Sequence, residues 1–305
     1  MEIAIISGKG GTGKSSISAA FAALSHHVVM ADCDVDAANL HLLFQPEHEE
    51  EQPYIGGQYA VIDQYRCSAC GMCETHCRFD AITHEHESFI IDNILCDGCE
   101  LCARICPNKA IAMVVNDSSR LFSGTFRHGH MVYGSLAPGE ENSGKLVNLV
   151  REKARNLATS HHYEQIIIDG PPGIGCPAIS SITGVNTVII VTEPSLSGLH
   201  DMKRTLELIQ KFNIHLQVII NKYDLNNDVS AMIEDYCRKH NTPLAGKIPF
   251  DPRVTEAMVQ QRTVTEWAPG AEVSKMIIKT WQTIVNHSVI TGKNTAQMVP
   301  KNNLL

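Results

Sequence analysis

Short apolar runs rich in β-branched residues alternate along the chain with amphipathic stretches of helix length. Such continuous runs are typical of strands that are buried on both faces of a parallel sheet. The alternation of strands with helices therefore predicts an α/β fold with a doubly wound, mostly parallel sheet. The predicted strands span residues 2–6, 27–31, 165–168, 187–191 and 216–220.

This alternation is interrupted after the second predicted strand. An acidic stretch over residues 47–51 and a turn region over residues 53–57 lead into a block dense in cysteine. A domain inserted into an exposed loop is well tolerated, because the entropy of loop closure grows only slowly with loop length. The predicted division is a core domain at 1–45 and 119–285, an inserted domain at 46–118 and a flexible tail at 286–305.

The last predicted helix runs from Val273 to Val285. Apolar residues recur along it at helical spacing, which indicates one face packed on the core. These residues are Met276, Ile277, Trp281, Ile284 and Val285. The polar residues that follow lead us to expect a loosely ordered tail.

Composition and charge narrow the function class. Hydrophobic residues make up 44% of the chain and charged residues 19%, as in a globular protein. The formal net charge is −8, and the sequence contains no polybasic run that could bind along a nucleic acid backbone. No apolar segment approaches the ~20 residues of a membrane span. We therefore expect a cytoplasmic protein that binds no nucleic acid directly.

The residues after the first predicted strand form a glycine-rich loop, GKGGTGKS. Its spacing satisfies G-x-x-x-x-G-K-[ST] between a strand and a helix, as a phosphate-binding P-loop requires. Backbone N–H groups would wrap the phosphates, Lys14 would reach the β- and γ-phosphates, and Ser15 would ligate Mg²⁺. A glycine-rich turn with a solvated lysine is the alternative, although every fixed position agrees with a P-loop. The predicted nucleotide ligands here are Gly8, Gly10, Gly11, Thr12, Gly13, Lys14, Ser15 and Ser16.

Lys9, which follows the first glycine of the loop, is absent from a general P-loop. With this lysine, the loop resembles the deviant Walker A motif of the MinD/ParA-type ATPases, a group that includes the nitrogenase iron protein. The resemblance implies ATP as the nucleotide and a dimer in which Lys9 crosses to the partner's nucleotide, much as an arginine finger acts in trans. A lysine that only adds local positive charge is the alternative.

Further stretches resemble the other parts of this family's nucleotide site. Asp32, Asp34 and Asp36 stand at the position of switch I. The resemblance implies that Asp34 orients the attacking water or accepts its proton, with the other two aspartates as substitutes. The apolar strand that ends at Asp169 matches Walker B, which implies a place for this carboxylate in the Mg²⁺ shell. Gly173 lies in switch II, where its amide could sense the γ-phosphate. Base contacts are implied for Asn221, Lys222 and Pro249.

Eight of the eleven cysteines form two copies of C-x₂-C-x₂-C-x₃-C. In an intracellular chain such a set indicates metal or redox chemistry rather than disulfides. The spacing is that of bacterial two-cluster ferredoxins, in which the fourth cysteine of each run ligates the other cluster. We therefore predict two [4Fe-4S] clusters. One is held by Cys67, Cys70, Cys73 and Cys106, and the other by Cys77, Cys96, Cys99 and Cys102.

Zinc is the main alternative for these cysteines, because paired C-x₂-C units also bind zinc. Four cysteines in this order, repeated twice, fit two cubane clusters better. Between residues 64 and 112, acidic residues outnumber basic ones by seven to four. Such a surface suits docking to a basic redox partner, or solubility alone. Cys176 follows switch II, where the nitrogenase iron protein has a cluster ligand, but a small buried thiol is the favoured interpretation.

Together these motifs resemble the MinD-superfamily P-loop ATPases with an inserted ferredoxin domain, over roughly residues 1–285. The resemblance implies a Mg²⁺-dependent ATPase that couples nucleotide state to electron transfer or to assembly of a metal cofactor. The implied partners are a second copy or a paralogue, and a redox or cofactor-assembly protein. The alternatives are a MinD/ParA-like positioning switch, a cobyrinate-type amidating ligase and an Mrp-type scaffold. Residues 138–147 and 192–195 also match the family, but the sequence assigns them no role.

Overall fold

The computed structural model describes residues 1–85, 88–140, 144–212 and 214–296, with side chains described as far as Asn286. The strands among these residues, numbered in chain order, are β1 (Glu2–Ser7), β2 (Val28–Asp32), β3 (Glu47–Tyr54), β4 (Gly57–Ile62), β5 (Ile82–Glu85), β6 (Ser88–Ile91), β7 (Ile111–Asn116), β8 (Ser119–Phe126), β9 (Gly129–Ser135), β10 (Gln165–Pro172), β11 (Thr187–Thr192), β12 (His215–Asn221) and β13 (Leu244–Ile248).

The helices are α1 (Lys14–Leu24), α2 (Leu40–Phe44), α3 (Met72–Thr75), α4 (Leu101–Ile105), α5 (Lys145–Ser160), α6 (Cys176–Ile182), α7 (Leu196–Ile209), α8 (Asn227–Lys239), α9 (Arg253–Val259), α10 (Val264–Trp267) and α11 (Glu272–Ala296). A short 3₁₀ turn spans Tyr223–Leu225. None of the helices in the described part of the chain is both long and apolar enough to cross a membrane.

Nine strands form one sheet in the order β13-β12-β11-β1-β10-β2-β9-β8-β3. The strands from β13 to β9 pair in parallel, and β8 and β3 add an antiparallel edge. The central strands are continuous apolar runs because both of their faces are covered. The prediction of an α/β fold with a mostly parallel sheet is confirmed.

Helices cover both faces of this sheet. On one face, α1, α10 and α11 enclose a buried core in which Phe21 stacks on Trp281 with 4.7 Å between ring centroids. On the other face, helices α5 to α8 contribute buried side chains such as Val150, Met202 and Ile233. The sheet is therefore a rigid platform, and the loops at the carboxyl ends of its parallel strands can carry a ligand site.

The chain leaves the sheet after β3 and returns to it at β8. We call residues 55–118 the inserted lobe, and residues 1–54 together with 119–296 the sheet domain. Within the inserted lobe β4 pairs with β7 and β5 pairs with β6, both antiparallel. Helices α3 and α4 each begin within one of the two cysteine runs.

The insert begins later than the sequence pattern predicts. β3 pairs with β8 along its length and forms one edge of the nine-stranded sheet, so the predicted start at residue 46 is wrong. The acidic run over residues 47–51 is an edge strand, where charged side chains stay in solvent and discourage pairing with other chains. One of them, Glu51, pairs with Arg120 at 3.0 Å. The lobe starts after Tyr54, whereas β8 starts at Ser119, next to the predicted end.

The last helix is also longer than predicted. Its apolar face is buried at Ile277, Trp281 and Ile284, and α11 continues to Ala296. The predicted end of this helix at Val285 is therefore wrong, and residues 286–296 of the predicted tail are helical. Polar residues do not end a helix by themselves, and this stretch contains no proline. The rest of the predicted tail, 297–305, lies outside the described residues.

Candidate functional site

The P-loop joins the end of β1 to the start of α1. Gly13 precedes the helix with φ of 84°, and a Cβ atom there would collide with Nδ2 of Asn221. The hydroxyl of Thr12 is buried and has no hydrogen-bond partner among the described residues. An unpaired buried polar atom is unfavourable, so the loop fits a ligand that offers acceptor oxygens, as phosphate does.

Around this loop the predicted glycines have different surroundings. A Cβ atom at Gly8 would lie 2.5 Å from Cβ of Asp201 in α7, so the loop packs tightly against that helix. Gly10 and Gly11 face open space on the side where a Cβ atom would lie. Ser16 lies at the rim of the neighbouring cavity, where its hydroxyl donates to Sδ of Met258 at 3.3 Å.

Lys14, Ser15 and Asp169 meet at the carboxyl end of the sheet. The Lys14 ammonium lies 2.8 Å from Oδ1 of Asp169, and the Ser15 hydroxyl donates to Oδ2 at 2.6 Å. Ser18, one helical turn after Lys14, donates to Oδ1 at 2.7 Å. Asp169 is fully buried, and a buried carboxylate needs such compensation. The hydroxyl and the carboxylate are the ligand types that Mg²⁺ prefers.

The three aspartates of switch I have different surroundings. Asp32 is fully buried, and its carboxylate accepts backbone N–H groups of Asp34, Asn39 and Leu40, each at 3.2 Å. Burial, and then the charge of Asp169, raises the pKa of Asp32 to about 7. Asp32 therefore orders the loop that leads into α2.

Asp34 faces the P-loop, with Oδ2 3.9 Å from the Lys14 ammonium. Its side chain is partly exposed, and burial raises its pKa although the nearby Lys14 opposes this shift. Asp36 is exposed. Of the three, Asp34 combines access to solvent with closeness to Lys14.

A cavity beside the P-loop brings the predicted base-contacting residues together. Asn221 donates from Nδ2 to the carbonyl of Thr12 at 2.8 Å, and Lys222 donates from Nζ to the carbonyl of Gly11 at 2.9 Å. Pro249 lies on the opposite wall. Apolar side chains that the sequence did not single out complete the wall, among them Phe250, Val254 and Met258. A cavity with apolar walls next to a phosphate loop is suited to a purine ring.

Gly173 and Lys9, which are expected to contact the nucleotide, contact other parts of this chain in the structure. The Gly173 amide donates to the carbonyl of Ser7 at 2.8 Å, so it contacts the start of the P-loop. The Lys9 ammonium lies 2.8 Å from Oε1 of Glu193 and donates to Ser195 and Ser197 at 3.1 and 2.9 Å. Lys9 is thus held on its own subunit in this structure.

The eight cysteines of the inserted lobe line two neighbouring cavities. One cavity is bordered by the thiols of Cys67, Cys70, Cys73 and Cys106. The other is bordered by Cys77, Cys96, Cys99 and Cys102, with Cys73 on the wall between them. Apart from Cys73, which lines both cavities, each cavity is lined by cysteines of one of the two predicted sets. No three His, Cys, Asp or Glu side chains of the described residues converge on a position for a single metal ion.

The two cysteine runs also share backbone conformation. In each run the residue before and the residue after the second cysteine have positive φ, and so does the third residue beyond the fourth cysteine. The values are 52° at Ala69, 74° at Gly71 and 51° at Asp80, and 69° at Gly98, 66° at Glu100 and 49° at Lys109. Positive φ is unfavourable for residues other than glycine. Its repetition at matching positions shows that the two loops are built alike.

Backbone N–H groups point at some of these thiols. Ala69 donates to Sγ of Cys67 at 3.4 Å, and Ala110 donates to Sγ of Cys106 at 3.3 Å. Ala60 of β4 donates to Sγ of Cys96 at 3.5 Å. Hydrogen bonds to ligand sulfurs tune the potential of iron–sulfur clusters.

A segment of the sheet domain touches both the switches and the inserted lobe. We call residues 136–140 with 144–145 the junction segment. The amide of Leu136 donates to the carbonyl of Val35 in switch I at 3.1 Å. A Cβ atom on Gly139 would lie 2.5 Å from the carbonyl oxygen of Ile94, just before Cys96. One on Gly144 would lie 3.2 Å from the carbonyl oxygen of Cys176 in α6.

Sequence reasoning missed Ser18, Glu193 and the junction segment. Ser18 lies four residues after Lys14 on the same face of α1, a spacing that could have revealed it. Glu193 and most of the junction segment lie in the two stretches without a predicted role, and only the fold shows what they touch. The favoured interpretation of Cys176 as a buried thiol is wrong, because this residue is exposed at the start of α6.

Comparison with known proteins agrees with this geometry. Residues 3–264 match the CobQ/CobB/MinD/ParA nucleotide binding domain. An uncharacterized protein of Methanocaldococcus jannaschii is 39% identical over 231 residues, which cover 74% of this chain and 80% of that protein. An iron-sulfur cluster carrier protein of Rickettsia bellii is 33% identical over 108 residues, about a third of either chain.

Solved structures show the same fold. The septum site-determining protein MinD of Pyrococcus horikoshii, complexed with Mg-ADP, aligns with a TM-score of 0.56 at 18% identity. The alignment covers 93% of this chain and 95% of that chain.

Proposed function

This chain belongs to the CobQ/CobB/MinD/ParA nucleotide-binding family, and we propose that its ATPase cycle controls electron transfer by two [4Fe-4S] clusters in the inserted lobe. ATP would bind with its phosphates in the P-loop and its base in the cavity beside Asn221 and Pro249. Ser15 and Asp169 would hold Mg²⁺, and Lys14 would stabilise the charge that develops on the phosphates. Asp34, which faces Lys14, would orient the attacking water.

The inserted lobe fits two clusters on three observations. Its eight cysteines line two cavities, with Cys73 shared between them, the same backbone conformation recurs in both runs, and backbone N–H groups are aimed at cysteine sulfurs. When bound, each cluster supplies reversible storage of one electron. The chain itself would provide the thiolates, the hydrogen bonds to them and the exclusion of solvent.

The contacts of the junction segment are the observation that supports coupling between the nucleotide site and the inserted lobe. Leu136 is hydrogen-bonded to switch I, Gly139 packs on the turn before Cys96, and Gly144 packs on α6 after switch II. The hydroxyl of Ser119 ties this segment further, since it accepts from the amide of Ala137 at 2.8 Å and donates to Glu140. A change in either switch would therefore reach the backbone that holds Cys96.

The proposed cycle uses this contact. Ordering of the switches by the γ-phosphate would close two subunits face to face, with Lys9 of each reaching the other's nucleotide. The junction segment would shift the turn from Asp92 to Cys96, whose hydrogen bonds include Cys96 N to Asp92 O at 3.0 Å. The second subunit would be another copy or a paralogue, and the electron acceptor a separate redox protein.

Assembly of a metal cofactor on a client protein is the second candidate function. Its support is the partial similarity to the iron-sulfur cluster carrier of R. bellii. Electron transfer is favoured because the lobe supplies four cysteines for each cluster, a full ligand set that suits a permanently bound group better than one that is handed on.

The test is whether the nucleotide alters the cluster that Cys96 ligates. We expect an unhydrolysable ATP analogue to shift the midpoint potential of that cluster by about 60 mV, equivalent to about 1.4 kcal/mol for one electron. In Gly139→Ala a Cβ atom would press on Ile94, so we expect the shift to fall by at least about half while ATP hydrolysis is retained. Potentials would be measured by redox titration followed by EPR.

Gly184→Ala is the matched control. Gly184 has φ of 74°, but a Cβ atom there would meet nothing within 4 Å, so this variant carries the strain without the contact. It should keep the full shift. If the midpoint potentials of the wild-type protein are the same with and without the nucleotide, the proposed coupling is refuted.

A further inference from the structure

Lys9 lies in a binding site built by the loop between β11 and α7 and by the first turn of α7. Its ammonium has three acceptors there: Oε1 of Glu193 at 2.8 Å, the Ser195 hydroxyl at 3.1 Å and the Ser197 hydroxyl at 2.9 Å. An ammonium has three N–H donors. The site therefore satisfies Lys9 completely within its own subunit.

This loop is rigid. Ser195 caps α7 by accepting the amide of Gly198 at 3.0 Å, and the Ser195 amide donates to the carbonyl of Glu193 at 2.8 Å. The hydroxyl of Thr192 donates to the carbonyl of Gly198 at 3.1 Å. The three acceptors of Lys9 are thus preorganised by the start of the helix.

Glu193 also ties the P-loop to the base cavity. Its second carboxylate oxygen lies 3.3 Å from the ammonium of Lys222, which itself donates to the carbonyl of Gly11. Although burial opposes ionisation, the hydrogen bonds from Lys9 and Lys222 hold the pKa of Glu193 below its usual range. The carboxylate of Glu193 therefore connects Lys9 in the P-loop with Lys222 at the base cavity.

We propose that Glu193 is a positioning residue that, with Ser195 and Ser197, holds Lys9 on its own subunit and sets how readily two ATP-bound subunits pair. The inference rests on the proposed pairing, in which Lys9 serves the partner's nucleotide. Lys9 cannot keep three acceptors here and also reach across an interface. Each subunit must exchange these contacts for phosphate oxygens before the dimer forms, and this exchange opposes pairing when ATP is absent.

The test is Glu193→Gln, which keeps the shape of the side chain and removes its charge. Breaking a partly exposed ion pair changes an equilibrium constant by a factor of a few. Each of the two subunits breaks one Lys9–Glu193 pair when the dimer forms. We expect the dissociation constant of the dimer, measured by analytical ultracentrifugation with an unhydrolysable ATP analogue, to fall by about tenfold. Ser197→Ala removes one acceptor without removing the helix cap, and should act in the same direction with a smaller effect.

Two controls separate positioning from a structural effect. Glu234→Gln breaks the ion pair with Lys247 at 2.9 Å, which involves none of the residues that hold Lys9, and should leave pairing unchanged. In a Lys9→Ala background, Glu193→Gln should no longer affect pairing, because there is no lysine to hold. An effect of equal size in both backgrounds would overturn the inference.

The remaining outcomes are also decisive. Weaker or unchanged pairing of Glu193→Gln, in a folded variant that binds ATP, would overturn the inference and leave the ATP-dependent dimer standing. A wild-type chain that stays monomeric with ATP and with its paralogue would instead refute the proposed pairing itself.

Discussion

In the sheet domain, fully buried side chains such as Phe21 and Val150 fill two cores, one on each face of the sheet. In the inserted lobe, the buried apolar cluster among the described residues is small, and large side chains remain in solvent. The cluster consists of Cys73, Ile82 and Phe89. Exposed large side chains include Tyr65, Ile94, Leu95 and Val115.

The difference shows how each region is stabilised. A unit of about 60 residues buries too little surface to be very stable alone, and such units commonly depend on metals or disulfides. All eight cysteines of the inserted lobe are free of disulfides in the structure, so under the proposed function the two clusters would be the cross-links of the lobe. Apolar burial therefore maintains the sheet domain, and we expect the lobe to depend on what its cysteines hold.

The largest effect is expected from Lys14→Ala. Removing the ammonium that pairs with Asp169 and faces the phosphates should lower ATP hydrolysis by about 10²–10³-fold. Because Lys14 lies in the sheet domain, the iron content and visible absorbance of the lobe should not change. Phosphate release and iron analysis of the anaerobically purified protein would measure both.

Lys275→Ala, which removes an exposed lysine of α11, is the control for this loss and should hydrolyse ATP normally. If Lys14→Ala also lost its iron, the two regions would not be independent.

An intermediate effect is expected from the fourth cysteine of each run. Cys106→Ser should lower the iron content from about eight to about four atoms per chain by removing the cluster of Cys67, Cys70 and Cys73. Cys77→Ser should remove the other cluster, so EPR spectra of the two variants would differ. Cys176→Ser, which changes an exposed cysteine of the sheet domain, should keep all the iron. Stoichiometric zinc in place of iron would contradict this assignment.

The smallest effect is expected from Glu266→Gln in the sheet domain. Glu266 accepts hydrogen bonds from Arg127 at 2.7 and 3.0 Å, from His128 at 2.9 Å and from the amide of Thr263 at 2.8 Å. Although burial opposes ionisation, these donors hold the pKa of Glu266 well below its ordinary value of 4.5. We expect the variant to lose about 2 kcal/mol of unfolding free energy at pH 7.

The pH dependence of this loss has a definite sign. Because the folded-state pKa is lowered, the contribution of Glu266 is complete above pH 4.5, the ordinary value, and declines as the pH falls below it. Urea unfolding at pH 7 and below pH 4.5 would measure the difference between wild type and variant. An equal difference at both pH values would contradict the ion-pair account, and the iron content should not change.

Much of the sheet could be predicted from the sequence, because buried parallel strands are continuous apolar runs. The edge strands β3 and β8 were missed for the opposite reason. β3 carries the acidic run over residues 47–51, and its role depends on its partner rather than on its own composition. β9 was missed because its apolar run is short and glycines flank it.

The nucleotide site could be predicted where its function requires residues that are adjacent in the sequence. A phosphate loop needs its glycines, Lys14 and Ser15 in one continuous stretch, so the motif is visible in sequence. Glu193 lies 184 residues after Lys9 in the chain, and no local pattern connects them. The contact forms because β11 lies next to β1 in the sheet, so the loop after β11 reaches the P-loop.

The sequence by itself determined the alternation of strands and helices, the P-loop chemistry and the spacing of the cysteines. Each of these depends on residues that lie close together along the chain. Only the tertiary structure decided where the inserted lobe begins, which acceptors hold Lys9, and that Gly139 and Gly144 join the switches to the turn before Cys96. These contacts depend on which strands lie side by side and how closely two backbones approach. Such properties arise when distant segments pack together.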